Sequence, residues 1–391
     1  MQHPGAIMKK DRQYNLDLIR CAAFLLVFTY HFAETVQGGF PTGVRGYDFG
    51  SLGTGLFFIL SGFVLTFGML RNPYTEKKDY DGGCAAQKES VKRRAAAGSG
   101  FSLSRFYKKR FLAIYPLYWM VFLAVYLIHG WHGGNFLYGG PVWKMLYSAA
   151  AVDGYLNLYG IQTYYVTGEW FIAVILFCYL LYPLLRKIKS SLWAYLAVTA
   201  LYAANIIFGL QKGIPADASL FTGLFLFFTG MVLADLFTNN GEAAEQKNLM
   251  NSYLRINPAV SFLVCAVLLL IPGAGRKPLI LRSLFSIALF LFLYGAFRSV
   301  KGKIGSIFAA LSRYTYAAFL WHHVILSWTA GRIMNVFAFA GGFRYAAAYL
   351  GALGMTAVFT LITVLFYNAL RHRCKTSPPP EKKRINDAGT A

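Results

Sequence analysis

The stretch NLDLIRCAAFLLVFTYHFAE, residues 15–34, decides the fold class of this chain. Its apolar run is about 20 residues long, which is enough for one α-helix to cross a hydrocarbon layer about 30 Å thick. The run also contains charged and titratable side chains, which are costly within a membrane and usually face a cavity or a partner. The stretch therefore predicts a first transmembrane helix over residues 16–36 that carries a polar stripe.

The composition extends this prediction to the whole chain. Of its 391 residues, 57% are hydrophobic and 14% are charged, whereas an average soluble domain has roughly 25% charged residues. This composition excludes a soluble globular protein. The formal net charge of +22 comes from Lys and Arg that lie between apolar runs, a pattern typical of membrane-protein loops, so no nucleic-acid partner is predicted.

Further apolar runs predict an all-α integral membrane protein with about ten transmembrane helices. The predicted spans cover residues 16–36, 51–70, 106–129, 169–188, 190–210, 217–237, 257–273, 279–298, 308–329 and 344–370. Cytoplasmic N- and C-termini would place most Lys and Arg on the cytoplasmic side, in agreement with the positive-inside rule. We therefore expect a multi-pass protein of the cytoplasmic membrane of the cell, with a cytoplasmic N-terminus over 1–15 and a basic cytoplasmic tail over 371–391.

Two connections between the predicted spans are longer than the others. Residues 71–104 are rich in Gly, Ala, Lys and Arg, which predicts a flexible basic cytoplasmic loop that lies against anionic lipid headgroups. Residues 130–168 contain many Tyr and Trp between glycines, which predicts an outer lid segment at the membrane interface. Its aromatic side chains either anchor the protein at the interface or face the substrate, and the sequence leaves both interpretations open.

The polar stripe of the first predicted span consists of Asp17, Arg20, His31 and Glu34. The 11-residue spacing from Arg20 to His31 is close to three helical turns, so both side chains emerge on one face, about 16 Å apart along the axis. Asp17 precedes Arg20 by three residues and Glu34 follows His31 by three, and residues at this spacing are neighbours on a helix. One face of the helix therefore carries all four groups.

This stripe suits a long ligand with an anionic end and a reactive end. Arg20, near the cytoplasmic mouth, offers a fork of donors for phosphate, and His31 offers a base or a nucleophile deep in the span. A coenzyme A thioester has that shape. The alternative is that Arg20 reaches to the membrane edge and that His31 hydrogen bonds a neighbouring helix.

Four sequence blocks occur in an order that resembles the membrane-bound acyltransferase family 3. The first is residues 15–31 with the Arg20 and His31 pair, and the others are GTGLFFILSGF at 53–63, SRFYKKRFLAIYPLY at 104–118 and LSRYTYAAFLWH at 311–322. A looser match covers residues 170–185. The resemblance extends over essentially the whole chain and implies that residues 16–370 form a ten-helix acyltransferase membrane domain.

The resemblance also implies an activity, namely transfer of an acyl group, usually acetyl from acetyl-CoA as donor, to a hydroxyl of a cell-envelope glycan or lipid-linked sugar. It maps the catalytic histidine to His31, with Arg20 as its motif partner, and donor binding to Arg20, Lys109 and Arg110. Two positions depart from the family pattern. Ala113 stands where a further arginine is common, and Ile175 stands where many members have a glutamate, for which Glu169 is a potential substitute.

Several further side chains are weaker candidates for the site. Ser61 is either a hydrogen-bond donor in the pocket or a small residue that permits helix packing. His322 is either an orienting group or a partner in an interhelical hydrogen bond. Asp153 and Glu169 are potential partners of sugar hydroxyls. The sequence has no metal or nucleotide-binding signature, so a metal is not expected.

Two other interpretations remain at this stage. A transporter or flippase of a glycolipid or small anion would use Arg20 and His31 for binding or proton relay, although no repeated halves are present as many transporters have. A second alternative keeps the enzyme but transfers a longer or charged acyl group such as succinyl. The sequence indicates neither the acceptor nor the oligomeric state.

Overall fold

The computed structural model of the chain describes residues 12–37, 39–70, 101–164, 170–238, 257–272 and 275–376. These residues form helices, with one short antiparallel hairpin of β1 (Gly43–Val44) and β2 (Tyr47–Asp48). The helices are α1 (Tyr14–Thr35), α2 (Phe49–Leu70), α3 (Leu103–Gly133), α4 (Met145–Ala149), α5 (Asp153–Asn157), α6 (Trp170–Ile188), α7 (Leu192–Phe208), α8 (Leu220–Thr238), α9 (Pro258–Leu270), α10 (Leu279–Ala296), α11 (Gly302–Leu311), α12 (Thr315–Val336) and α13 (Phe343–Thr376). The expected all-α architecture is confirmed.

Seven of the described helices are long and apolar enough to cross a membrane: α1, α2, α3, α6, α8, α10 and α13. The apolar helices α7, α9 and α11 are shorter. Each of the first eight predicted spans coincides with one helix to within a few residues. The total of ten spans and the cytoplasmic side of the termini stay predictions. Most of the predicted basic loop, over 71–100, and most of the tail, over 377–391, lie outside the described residues.

The predicted ninth span, residues 308–329, is wrong as one helix. The structure has a break at residues 312–314 between α11 and α12. The Ser312 hydroxyl donates to Asp17 at 2.5 Å and contacts the Ala309 carbonyl at 3.3 Å, and the Thr315 hydroxyl donates to the Ser312 carbonyl at 2.9 Å. Such side-chain bonds to the backbone compete with helical ones, and a hydropathy window does not register them.

Helices α2 and α8 are in contact at two glycines. A Cβ atom on Gly62 would collide with the carbonyl oxygen of Phe227, and one on Gly230 would collide with that of Ile59. Small residues let membrane helices approach until their backbones touch. Gly62, which belongs to the sequence block at residues 53–63, therefore lets the two helices come together at this point.

Helix α1 lies inside the bundle, with α2, α10, α11 and α12 around it. Its Ile19, Ala23 and Phe28 side chains are fully buried. In contrast, α3 and α13 expose rows of large apolar side chains such as Leu123 and Leu365, which is the arrangement expected of lipid-facing helices. The polar stripe of the sequence is thus located on a central helix.

The aromatic segment predicted over 130–168 is folded rather than an open loop. Helix α3 continues to Gly133, and α4 and α5 follow within the segment. The Tyr164 hydroxyl donates to the Gly140 carbonyl at 2.6 Å, and Gln162 donates to the Tyr138 carbonyl at 2.6 Å. The segment therefore has a defined structure up to residue 164, whereas its role as a lid stays a prediction.

Candidate active site

A chamber of about 270 Å³ lies beside the C-terminal end of α1. We call it the inner chamber. Its walls come from α1, β2, the start of α2, the end of α5, the first residue of α6 and the segments that precede α8 and α10. The lining residues are Val27, Tyr30, His31, Glu34, Asp48, Gly50, Ser51, Thr54, Leu158, Trp170, Pro215, Asp217, Ala218 and Arg276.

His31 and Glu34 form a hydrogen-bonded pair in the wall of this chamber. His31 Nδ1 lies 3.0 Å from Glu34 Oε2, and the side chains are 16% and 48% exposed. A carboxylate only accepts hydrogen bonds, so Nδ1 is the donor in this contact. Tyr30 also hydrogen bonds Glu34. The pair therefore orients the His31 ring in the wall of the chamber.

Two more histidines, both on α12, lie next to His31. The ring centroids of His322 and His323 are 5.3 and 5.0 Å from that of His31. His322 is fully buried, and its Nδ1 lies 2.6 Å from the Phe319 carbonyl, whereas its Nε2 has no hydrogen-bond partner among the described residues. No cluster of the described His, Cys, Asp and Glu residues fits a metal ion.

Four charged side chains form a network beside the inner chamber, and three of them, Asp48, Asp217 and Arg276, line it. Asp48 Oδ2 accepts from Arg276 at 2.9 Å and from Arg282 at 3.0 Å, and Asp217 Oδ2 accepts from the same two arginines at 2.7 and 3.3 Å. Arg282 is nearly buried, at 7% exposure. We call these four residues the charge quartet.

The hydrogen bonds of the quartet favour the charged form of Asp48. Burial acts to raise the pKa of Asp48, but hydrogen bonds from Arg276 and from the Ser51 backbone outweigh it, so the pKa lies below its usual value. Two carboxylates and two guanidiniums cancel each other in charge. The quartet thus gives the chamber a polar wall whose two carboxylates are both held by arginines.

The opposite end of the α1 stripe is arranged differently. Arg12 donates to both oxygens of Asp17, at 2.7 and 3.0 Å, and Arg20 is farther from it, at 3.7 Å. The Asp17 side chain is 7% exposed and that of Arg20 is 34% exposed. Neither lines the inner chamber. The stripe predicted as one continuous face therefore meets two separate environments.

The other predicted site residues lie away from the inner chamber or outside the described residues. Lys109 is exposed near the start of α3, and Arg110 is half-buried there, with its guanidinium 5.9 Å from the centroid of the Tyr179 ring. Ser61 is half-buried in α2 and does not line the chamber. Glu169 lies outside the described residues.

Asp153 is buried, and its Oδ1 accepts from the Tyr118 hydroxyl at 3.2 Å and from the Gly154 amide at 3.0 Å. Burial raises the pKa of this carboxyl to about 6. Tyr118 belongs to α3 and Gly154 to the folded aromatic segment, so Asp153 connects that segment to α3.

The sequence did not indicate several residues that form the chamber. Tyr30 and Trp170 lie within apolar runs of the sequence, and no local pattern connects the members of the charge quartet. One signal was present, since Arg282 is a charged residue inside the predicted span 279–298 and such residues are rarely without a partner.

The long apolar helices define a multi-pass helical membrane protein. The family model described as an acyltransferase domain matches residues 13–368, nearly the whole chain. The chain therefore belongs to membrane acyltransferase family 3 and is a membrane acyltransferase, which confirms the resemblance given by its sequence blocks. Neither the curated proteins nor the solved structures gave a match to the chain.

Proposed function

We propose that the protein transfers an acyl group, acetyl in the simplest case, from acyl-CoA to a hydroxyl of a cell-envelope glycan or lipid-linked sugar, with His31 as the catalytic residue. The observation that carries the proposal is the position of His31, which lies in the wall of a polar chamber with its Nδ1 held by Glu34 at 3.0 Å. A histidine held by a carboxylate is the arrangement of a general base.

In the direct form of the reaction, His31 Nε2 takes the proton of the acceptor hydroxyl while the hydroxyl oxygen attacks the thioester carbonyl carbon. A C–O bond forms, the C–S bond breaks, and the imidazolium returns the proton to the leaving thiolate. Glu34 stabilises the imidazolium during these steps. The alternative order, in which His31 carries the acyl group before the acceptor attacks, uses the same residues.

The donor would approach from the other end of α1. Arg20, Lys109 and Arg110 are cationic groups on α1 and α3 that suit the phosphates of coenzyme A. The half-exposed Arg20 has only a 3.7 Å contact with Asp17, so a phosphate would not displace a strong ion pair. The acyl arm would then extend along α1 toward His31.

The inner chamber would hold the acceptor hydroxyl. Its lining includes the indole of Trp170, the phenol of Tyr30 and the carboxylates of Asp48 and Asp217. Aromatic rings present an apolar face with a polar edge, and carboxylates accept hydrogen bonds from hydroxyls. This combination supports a sugar as acceptor. His322, with an unpartnered Nε2 beside His31, is an orienting group in this arrangement.

The test is incubation of the purified protein with radiolabelled acetyl-CoA and membranes of the source cell, for wild type and His31→Ala. We expect wild type to label membrane glycan and His31→Ala to lose at least about 100-fold of that rate, the smallest effect expected of a general base. His129→Ala is the matched control, because this histidine packs on Tyr138, with its ring centroid 4.6 Å away, and does not line the inner chamber. A fully active, normally expressed His31→Ala would contradict the proposal, and absence of donor binding to the folded protein would favour a transporter.

A further inference from the structure

A second chamber of about 460 Å³ adjoins the inner one. We call it the outer chamber. Tyr30, Asp48 and Arg276 line both chambers, so these three side chains form their common wall. The outer chamber is completed by the β1–β2 hairpin and the segment before α10, through Thr42, Gly43, Gly46, Tyr47 and Gly275.

The shared wall allows the two chambers to act as one binding site. Small-molecule sites usually measure roughly 300–1,000 Å³. The inner chamber alone lies just below that range, the outer chamber lies within it, and the two together also lie within it. A ligand whose reacting hydroxyl is at His31 and whose body extends past Tyr30 would use both.

The outer chamber is built before any ligand enters. The Lys277 amide donates to the Gly46 carbonyl at 2.8 Å, which joins the hairpin to the segment before α10. The buried Tyr47 hydroxyl donates to the Leu268 carbonyl at 2.8 Å. The charge quartet fixes Asp48 and Arg276 in the common wall. A preformed site binds without the entropic cost of ordering its walls.

The chemistry of the walls selects among potential occupants. Glycine backbone, a threonine hydroxyl, two tyrosines and a paired arginine and aspartate make a wall that is more polar than apolar and has no net charge, so a lipid tail is a poor match for it. A phosphate would have to take Arg276 from Asp48 and Asp217, which hold it at 2.9 and 2.7 Å. The remaining class is an uncharged, hydroxyl-rich unit.

We infer that the outer chamber is a second acceptor subsite, which binds the neutral sugar unit next to the one that His31 acylates. The inference rests on the proposed function and makes it more specific. The acceptor is then a glycan of at least two sugar units rather than a monosaccharide. Binding energy from the second unit would serve to position the reacting hydroxyl.

The test uses envelope glycan of the source cell, cleaved and separated into fractions of one, two and three or more sugar units. Each fraction is incubated with the purified full-length protein and radiolabelled acetyl-CoA. We expect kcat/KM for two-unit acceptors to exceed that for single sugars by about tenfold or more, equivalent to about 1.4 kcal/mol. Label confined to single sugars, or equal rates for all lengths, would overturn the inference.

Thr42→Trp fills the outer chamber and tests its role directly. The Thr42 side chain is exposed, and its backbone carbonyl, which accepts from the Phe49 amide at 2.9 Å, is unchanged by the substitution. We expect Thr42→Trp to remove the advantage of the longer acceptors, so that kcat/KM becomes the same for two-unit and single-sugar acceptors. Val44→Trp is the matched control, since Val44 is an exposed residue of the same hairpin that lines neither chamber.

The outcomes separate this inference from the proposed function. Equal losses for short and long acceptors in Thr42→Trp, or the same loss in Val44→Trp, would overturn the subsite while acyl transfer itself stood. Failure of wild type to label any glycan, in fractions or in intact membranes, would instead contradict the proposed function, and the subsite with it.

Discussion

The two ends of α1 carry the same arrangement of charges, a carboxylate three residues from a cationic or titratable group. At one end, Asp17 is nearly buried and is held by Arg12 and Ser312 in addition to Arg20. At the other end, Glu34 is half-exposed and pairs with His31 in the wall of the inner chamber. Spacing alone therefore does not distinguish a structural ion pair from a chemical one. The surroundings of each end make the distinction. At the Asp17 end, other helices pack around the ion pair, whereas at the Glu34 end they leave an open chamber.

Glu34→Gln tests the chemical end and should have the largest effect. The amide can still accept a hydrogen bond from His31 Nδ1 but carries no charge to stabilise the imidazolium, so we expect kcat to fall about 100-fold and the KM for acetyl-CoA to stay constant. Steady-state kinetics on purified protein measure both constants.

A matched control for Glu34→Gln is Thr35→Val, which removes the hydroxyl bond to the His31 carbonyl, 2.7 Å long, at the same helix end. Glu34→Asp should recover part of the rate. If kcat of Glu34→Gln equals that of wild type, Glu34 has no part in the chemistry and the contrast between the two ends of α1 disappears.

Asp17→Asn tests the structural end. The substitution removes the charge that Arg12 and Ser312 contact, and we expect the free energy of unfolding to fall by roughly 2 kcal/mol, less than for a fully buried pair because Arg12 is partly exposed. Thermal unfolding of the detergent-solubilised protein measures the loss.

Ser312→Ala should cost less than Asp17→Asn, and the double variant should cost less than the sum of the two, since the residues share one hydrogen bond. Unchanged stability, together with a loss of kcat as large as that of Glu34→Gln, would show that Asp17 belongs to the chemistry instead.

Arg20→Ala should have the smallest of these effects. Because Arg20 contacts Asp17 only at 3.7 Å, its removal should change stability little, whereas loss of a phosphate contact should raise the KM for acetyl-CoA about tenfold. Arg332→Ala, an exposed arginine near the C-terminal end of α12, is the control. A higher KM for the acceptor instead of the donor would contradict this assignment and would show that Arg20 contacts the acceptor.

Much of the fold could be predicted from the sequence, because apolar runs report directly on helices that cross a membrane. Eight helices agree with their predicted spans to within a few residues. The joint at residues 312–314 could not be predicted in this way, since it depends on bonds from Ser312 and Thr315 to groups that a hydropathy window ignores. Long-range contacts such as that between Ser312 and Asp17 are set only by tertiary packing.

The candidate site was predicted in part. His31 and Glu34 follow from helical spacing on one element, and the structure places them together. The charge quartet combines residues from four segments, with Asp48 and Arg282 more than 200 positions apart, and no local pattern connects them. Family resemblance supplied the class of enzyme but not the walls of the chamber.

The glycine contact between α2 and α8 has a consequence for how reagents reach His31. Ser51 and Thr54 at the start of α2 and Ala218 just before α8 are walls of the inner chamber, and Gly62 and Gly230 join the same two helices where their backbones touch. Backbones in such contact hold α2 and α8 as one unit, so the chamber walls that the two helices supply keep a fixed spacing. We therefore expect donor and acceptor to meet His31 against walls whose geometry is set before either one binds.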